Sequence, residues 1–353
     1  MDTNPPSKFD LNQNNSVTVK DVAEKAKVST ATVSRVLSGK GNVSKALEKR
    51  VLQAVKELDY RPNQSARRLR KRSSKIIGIM VADIQNPFFT SMVVGIEKVL
   101  QEAGYLTLLG NANESPIQEQ KQIEIFLAED VSGIIFATSM QEVGFYKQIL
   151  QQGVPLVAVD RNPADLPIDT VETTNAQSAN LAVQHLLQDG FQKIGLISGP
   201  EHLTTSIQRR QGYEQALVQA GLEIDPSLIY TSNYRQAGGY QGMQILLEHI
   251  QLPGAVLILN NLMALGAMQY LHEQHLRIPE DVAVVGFDDM PWATSLQPPL
   301  TVVEQPVYDM GLYAARLMLE RIAEPTKPVK HLILENKLVV RRSCGCKQKD
   351  GHP

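Results

Sequence analysis

In Val17-Thr18-Val19-Lys20-Asp21-Val22-Ala23-Glu24-Lys25-Ala26-Lys27-Val28-Ser29-Thr30-Ala31-Thr32-Val33-Ser34-Arg35-Val36-Leu37, two short amphipathic runs meet at a tight turn. Thr18 and Asp21 have the spacing of an N-terminal capping pair, and Val22, Ala23 and Ala26 share one small apolar face. This predicts a helix over Val19–Ala26. Lys27-Val28-Ser29 then turns the chain, and Ser29 is placed to cap a second helix over Thr30–Leu37. Ser38-Gly39-Lys40-Gly41-Asn42 ends it. Ser44 caps a third, Lys45–Leu58, whose Leu47, Val51, Val55 and Leu58 fall on one helical face. Two short helices joined by a three-residue turn and braced by a third describe a helix-turn-helix, which puts the exposed start of its second helix into the DNA major groove. Thr30, Ala31, Ser34 and Arg35 are the exposed positions. Arg35 suits guanine and Ala31 a thymine methyl. The plainer readings are a phosphate contact for Arg35 and helix-cap geometry for Thr30 and Ala31.

Charge divides the chain at the same place. Residues 1–75 carry 17 Lys and Arg against 7 Asp and Glu, net +10, while the remainder carries 18 against 30, net −12. A cationic head on an anionic body is the electrostatic footprint of a polyanion binder. The basic run Arg67-Arg68-Leu69-Arg70-Lys71-Arg72 lies at the junction. Its one apolar residue, Leu69, suits a wedge that unstacks bases while the cations hold phosphates. The alternative is a linker residue packing on its dimer mate.

Working outward, 353 residues at 43% hydrophobic content suit a soluble protein of two or three domains. No apolar run reaches the roughly 18 residues of a membrane span. Residues 1–15 are polar, without a signal peptide's apolar stretch, and read as a disordered tail. Cys344 and Cys346 are the only cysteines, too close together for an ordinary disulfide framework and too few for a structural zinc site. The expected compartment is the cytoplasm.

VTVKDVAEKAKVSTATVSRVLSGKGNVSKALEKRVLQAVKELDYRPNQSARRLR, residues 17–70, resembles the N-terminus of the lactose/galactose-repressor family. Both its DVAxxAxVSxxTVSRVL core and its YxPNxxARxL tail match, at the family's mutual spacing. The resemblance implies a hinge helix over Asn63–Arg70 that folds on operator DNA, with Asn63 and Arg67 at the DNA and Leu69 as the minor-groove wedge. It also implies a homodimer on a pseudo-palindromic operator. Ser343 is followed by no heptad repeat that would make a tetramer.

From Lys75 onward, β-branched runs alternate with amphipathic helices. Strand candidates are Ile76–Ala82, Leu106–Asn111, Gly133–Thr138, Leu156–Asp160, Lys193–Ser198, Ala255–Asn260 and Val282–Phe287. Continuous apolar strands between helices argue for parallel sheets covered on both faces. Seven units exceed one small lobe, so the expected fold is α/β: a helical headpiece (16–60), a hinge (61–74) and a body (75–343) of two doubly wound lobes, with a tail at 344–353. The body resembles the family's effector domain and the periplasmic sugar-binding proteins. This implies lobes of 75–173 with 304–335 and 174–303 with 336–343, crossed near Thr173, Val303–Gln305 and Asn336.

Ligands of open α/β sheets bind beyond the carboxyl ends of strands. There lie Asn86, Phe88 and Phe89, whose rings suit the C–H face of a sugar, with Phe89 expected in the core and Phe88 at the ligand. Arg209, Asn260, Asp288 and Gln305 match motif positions at which the resembling family contacts its effector, with Tyr234 closing the pocket and Arg161 adding contacts. Each alone has a bland reading as a cap or surface residue. Two departures stand out. Asn261 replaces the family's usual Asp, losing a charge while still able to cap its helix, and Ser139-Met140-Gln141 lacks the acidic residue of many sugar-binding relatives.

No Gly-x-Gly-x-x-Gly, P-loop, catalytic triad or carboxylate pair is found. His272 and His275 read as surface residues, and Cys344-Gly345-Cys346 as a tail with free thiols. No cofactor or metal is expected. A DNA-binding repressor modulated by a sugar-like effector fits best. A regulator worked by a protein partner, a transport-type sugar binder and an α/β enzyme are the rivals.

Overall fold

The computed structural model describes residues 18–38, 43–58, 74–140, 142–163, 166–250, 252 and 254–346. They form two compact units divided at Ser73/Ser74.

The headpiece is three helices: α1 (Val19–Lys25), α2 (Thr30–Ser38) and α3 (Lys45–Glu57). Thr18 and Asp21 make a reciprocal capping box, and Thr32 N–H donates to Ser29 Oγ at 3.2 Å. The core is small: Val22, Ala23, Ala26, Val33, Val51 and Ala54. Arg50 of α3 braces the turn by donating to the Ala26 carbonyl at 2.6 Å.

The body holds two six-stranded sheets. The first runs β11-β5-β4-β3-β1-β2 and the second β12-β10-β9-β8-β6-β7. In chain order the first-sheet elements are β1 (Ile76–Val81), α4 (Pro87–Glu102), β2 (Leu106–Asn111), α5 (Pro116–Ala128), β3 (Gly133–Phe136), α6 (Gly144–Gln151), β4 (Leu156–Val159) and β5 (Asp169–Thr173). The second sheet follows with α7 (Asn175–Gln188), β6 (Ile194–Ser198), α8 (Thr204–Gln219), β7 (Ile229–Thr231), α9 (Gln236–Leu246), β8 (Gly254–Ile258), α10 (Asn261–Glu273), β9 (Val282–Phe287) and β10 (Thr301–Glu304). The chain then returns with α11 (Val307–Ala323) and β11 (His331–Leu334) and crosses once more to β12 (Lys337–Val339). Every pairing is parallel except β10 with β12. The central strands are apolar and buried along their whole length, as expected of parallel strands covered on both faces.

The lobes exchange a helix. After β5 the chain leaves the first sheet and α7 packs against α8 in the second lobe. After β10 it leaves the second sheet and α11 packs against α4 and over β3, β4 and β5 of the first. The α4–α11 contact is a backbone-to-backbone approach, because a Cβ on Gly95 would run into the Tyr308 carbonyl and one on Gly311 into the Met92 carbonyl. The sequence list of strands omitted β5, β7, β10, β11 and β12.

Candidate functional site

The cleft between the lobes is ringed by loops at the carboxyl ends of strands. A small, narrow cavity lies there, lined by Asn86, Phe88, Phe89, Asp160, Arg161, Thr205, Arg209, Tyr234, Asn260, Asp288 and Gln305. Larger hollows exist, such as one of about 1110 Å³ around Met290 and Tyr308. They lack the cleft's concentration of buried charge, which is the better mark of a functional site.

The first lobe supplies aromatics and an ion pair. Asn86 caps α4, accepting from Phe88 N–H at 3.0 Å, and Pro87 follows where a missing N–H costs nothing. The cap turns Phe88 and Phe89 inward, edge to face at 5.1 Å. Both rings are 3% exposed or less. Both line the cavity and both pack in the core, so the expected division between a core Phe89 and a ligand-facing Phe88 does not hold. Arg161 forks onto Glu114 at 2.6 and 2.8 Å, and its guanidinium lies over Phe89 and, across the cleft, over Tyr234. Glu114 had no local signal in sequence, since the pair spans 47 residues. Burial pushes the neighbouring Asp160 carboxyl up to about 6, against the pull of Arg161 and Arg209.

The second lobe supplies polar groups. Arg209 projects from α8, donates from Nε to Asn175 at 2.7 Å and from Nη1 to the Leu259 carbonyl at 2.8 Å, and stacks on Phe287. Asn260 caps α10 by accepting from Met263 N–H at 3.0 Å. The capping role expected of Asn261 therefore belongs to Asn260. Asn261 instead donates across the cleft to Asn86 at 2.8 Å. Tyr234 sits in left-handed backbone and bonds Ser206 at 2.6 Å through its hydroxyl. Thr205, at the start of α8, also lines the cavity and went unnoticed in sequence. Where the turn after β3 lacks its own carboxylate, buried Glu119 of α5 accepts from Ser139 N–H at 2.6 Å, outside the cavity lining.

Asp288 ends a chain of hydrogen bonds through all three crossings. It accepts from Gln305 Nε2 at 2.5 Å, Gln305 Oε1 accepts from Thr173 Oγ1 at 2.8 Å, and Thr173 accepts from Asn336 Nδ2 at 3.3 Å. Burial raises the Asp288 carboxyl above its ordinary value, with Arg209 and Gln305 opposing.

On the headpiece, Ala31 and Arg35 are exposed on α2 and Thr30 is half-buried at its start. Ser34 lies on the same helix. Asn63, Arg67 and Leu69 lie outside the described residues.

Residues 18–63 match the lacI family of bacterial regulatory proteins, and residues 183–344 match a periplasmic binding protein-like domain. The ribose operon repressor of Halalkalibacterium halodurans is 36% identical over 326 residues, 92% of this chain and 96% of the relative. The HTH-type transcriptional repressor CytR of Escherichia coli is 35% identical over 333 residues, covering 94% and 97%. The lac repressor dimer bound to operator and the anti-inducer ONPF superposes with a TM-score of 0.80 at 28% identity, covering 93% and 99%. With a helix-turn-helix headpiece, a two-lobed α/β body and relatives of this extent, the chain belongs to the lacI family of bacterial regulatory proteins.

Proposed function

We propose that the chain is a dimeric transcriptional repressor whose operator binding responds to a neutral, polyhydroxylated, sugar-like effector held between the lobes without turnover. The observation that carries the effector reading is the convergence of Asp160, Arg161, Arg209 and Asp288, all 5% exposed or less, with two phenylalanines on one cavity. Buried charges of this kind are costly unless a partner meets their remaining hydrogen-bonding capacity. Sugar hydroxyls do so bidentately, and the apolar ring face covers the aromatics. The local charge also favours a neutral ligand. Glu114 answers Arg161, and Asp160 and Asp288 face Arg209, so no positive excess is left for a phosphate. Phe88, Phe89, Asn86, Tyr234, Asn260 and Gln305 complete the contact set. Operator recognition falls to Thr30, Ala31, Ser34 and Arg35, with Asn63, Arg67 and Leu69 of the hinge. In support, the lac repressor structure is described as a dimer bound to operator and to a small anti-inducer, and one relative is named for a ribose operon.

The test is a thermal-shift screen of pentoses, hexoses, nucleosides and their phosphates, followed by operator binding with each hit. A neutral sugar or nucleoside at 100 times its dissociation constant should add about 2.7 kcal/mol of stability and change operator affinity. A hit confined to phosphorylated compounds would refute the neutral-ligand reading. On the DNA side, Arg35→Ala should cost about 1–3 kcal/mol at one guanine and relax preference there. Uniform weakening on every sequence would make Arg35 a phosphate contact.

A further inference from the structure

The carboxyl end of α7 and the end of the described chain meet away from the cleft, on the second lobe. His185 and Asp189 stand one helical turn apart there, with Nε2 and Oδ2 at 3.5 Å. Cys344 and Cys346 arrive from the opposite end of the sequence, with their sulfurs 3.2 Å apart. Gly345 between them adopts φ +84°, a left-handed conformation that a side chain would oppose and that turns both cysteines to one side. The four donor atoms lie within 4.8 Å of one another. Counting cysteines alone had argued against a metal here, because the other two donors lie more than 150 positions away.

We propose that His185, Asp189, Cys344 and Cys346 form a tetrahedral zinc site that fastens the C-terminal segment to α7. Zinc–ligand bonds of about 2.0–2.3 Å at tetrahedral angles put donor atoms roughly 3.3–3.8 Å apart. The two sulfurs, at 3.2 Å, would part slightly, and the wider pairs, up to 4.8 Å, would draw in. Two thiolates with an imidazole and a carboxylate select a borderline-soft divalent ion over calcium or magnesium. His185 Nε2 is buried, with no well-formed hydrogen bond of its own, and lies between the Asp189 carboxylate at 3.5 Å and the Cys344 thiol. The negative end of α7 adds to the attraction for a cation. A surface hollow lined by Gly345 and Cys346 leaves that side of the cluster reachable from solvent. A bare Cys344–Cys346 disulfide would leave the approach of His185 and Asp189 unexplained.

The test uses the full, tag-free chain, reduced and passed over a chelating column, then titrated with cobalt(II) and zinc(II). One equivalent of cobalt should give thiolate charge-transfer and tetrahedral visible bands, and zinc should bleach them. Zinc should also raise the melting temperature, and a chelator should reverse the gain. Cys344 is buried and its replacement risks misfolding, so Cys346→Ser and His185→Gln carry the test, with circular dichroism to verify folding. Both should abolish the cobalt bands, and Asp189→Asn should weaken zinc at least tenfold. A reduced, folded wild-type chain that takes up no metal, or bands that persist in both variants, overturns the site. A disulfide found on isolation, with no metal uptake after its reduction, reassigns the pair to redox chemistry.

Discussion

Asp160 in the first lobe and Asp288 in the second occupy the same turn. Each follows the fourth strand of its lobe in left-handed backbone, φ 65° and 70°, and each N–H donates to the neighbouring strand, to Val171 at 2.9 Å and Val303 at 2.8 Å. The backbone repeats, but the surroundings do not. Asp160 is followed by Arg161, 3.6 Å away. Asp288 is followed by Asp289, which turns outward to Arg341 at 2.6 Å, and its own carboxylate is held by the Gln305 amide. One lobe thus carries a carboxylate beside a cation and the other a carboxylate tied to the crossings. The fold supplies two equivalent anchor points, and their neighbours decide that only the second is tied to the crossings between the lobes.

Four measurements would break or sharpen that comparison. The largest effect concerns the scaffold the lobes share. Gly311→Leu in α11 forces a side chain into the Met92 carbonyl, and Gly212→Leu in α8 forces one into that of Ala176. Each should cost about 4 kcal/mol or more in urea unfolding, to a similar degree. A tolerated substitution in one lobe alone would show that the helix contacts are not equivalent.

Next come the aspartates. Asp288→Asn keeps the left-handed backbone, which alanine would strain, and keeps an acceptor for Gln305. It should weaken the effector by about 2–3 kcal/mol while operator affinity without effector stays near wild type. Calorimetry with the screened ligand decides it, and unchanged affinity would remove Asp288 from the site.

Asp160 should be read by pH. Its folded-state carboxyl titrates at about 6 against an ordinary 3.8. Between those values the folded chain holds a proton that the unfolded chain has lost, so this group's contribution to stability rises as pH falls from 7 towards 4. The gain is about 2 kcal/mol and should vanish in Asp160→Asn. Urea midpoints of the two proteins at pH 7 and pH 5 test it. A pH dependence common to both would assign the effect elsewhere.

The smallest effect belongs to the Asn261–Asn86 bond between the lobes. Asn261→Ala should cost about 1 kcal/mol and loosen closure, seen as faster hydrogen exchange around Asn86. Equal exchange would mean that Arg235, which donates to the Asn113 side chain at 2.9 Å, suffices to hold the lobes together.

What could be read in advance followed locality. The fully buried strands announced themselves as apolar runs, the rule that ligands sit beyond strand ends singled out Asn86, Phe88 and Phe89, and the family resemblance pointed to Arg209, Asn260, Asp288 and Gln305; the fold brings all of these to one cavity. What escaped depends on distant partners. β5 carries Asp169, polar in sequence yet buried, because Arg321 meets it at 2.8 Å from 152 residues away. β7, β11 and β12 are short edge strands, only partly buried, without a continuous apolar run. Thr205 is a small hydroxyl at a helix start, indistinguishable from a surface residue until Tyr234 and Arg209 stand beside it.

The helix exchange has a consequence for synthesis on the ribosome. β1 to β5 emerge first, but one face of their sheet, with α4 on it, stays only partly covered until α11 follows, and its edge until β11 follows, beyond residue 330. Every strand from β6 to β10 is made in between. The first lobe to be translated is therefore the last to be finished. For most of its time on the ribosome this chain exposes Phe89, Met92 and Ile96, which α11 later covers, so its nascent form, rather than its native one, is the species most exposed to chaperones and to aggregation.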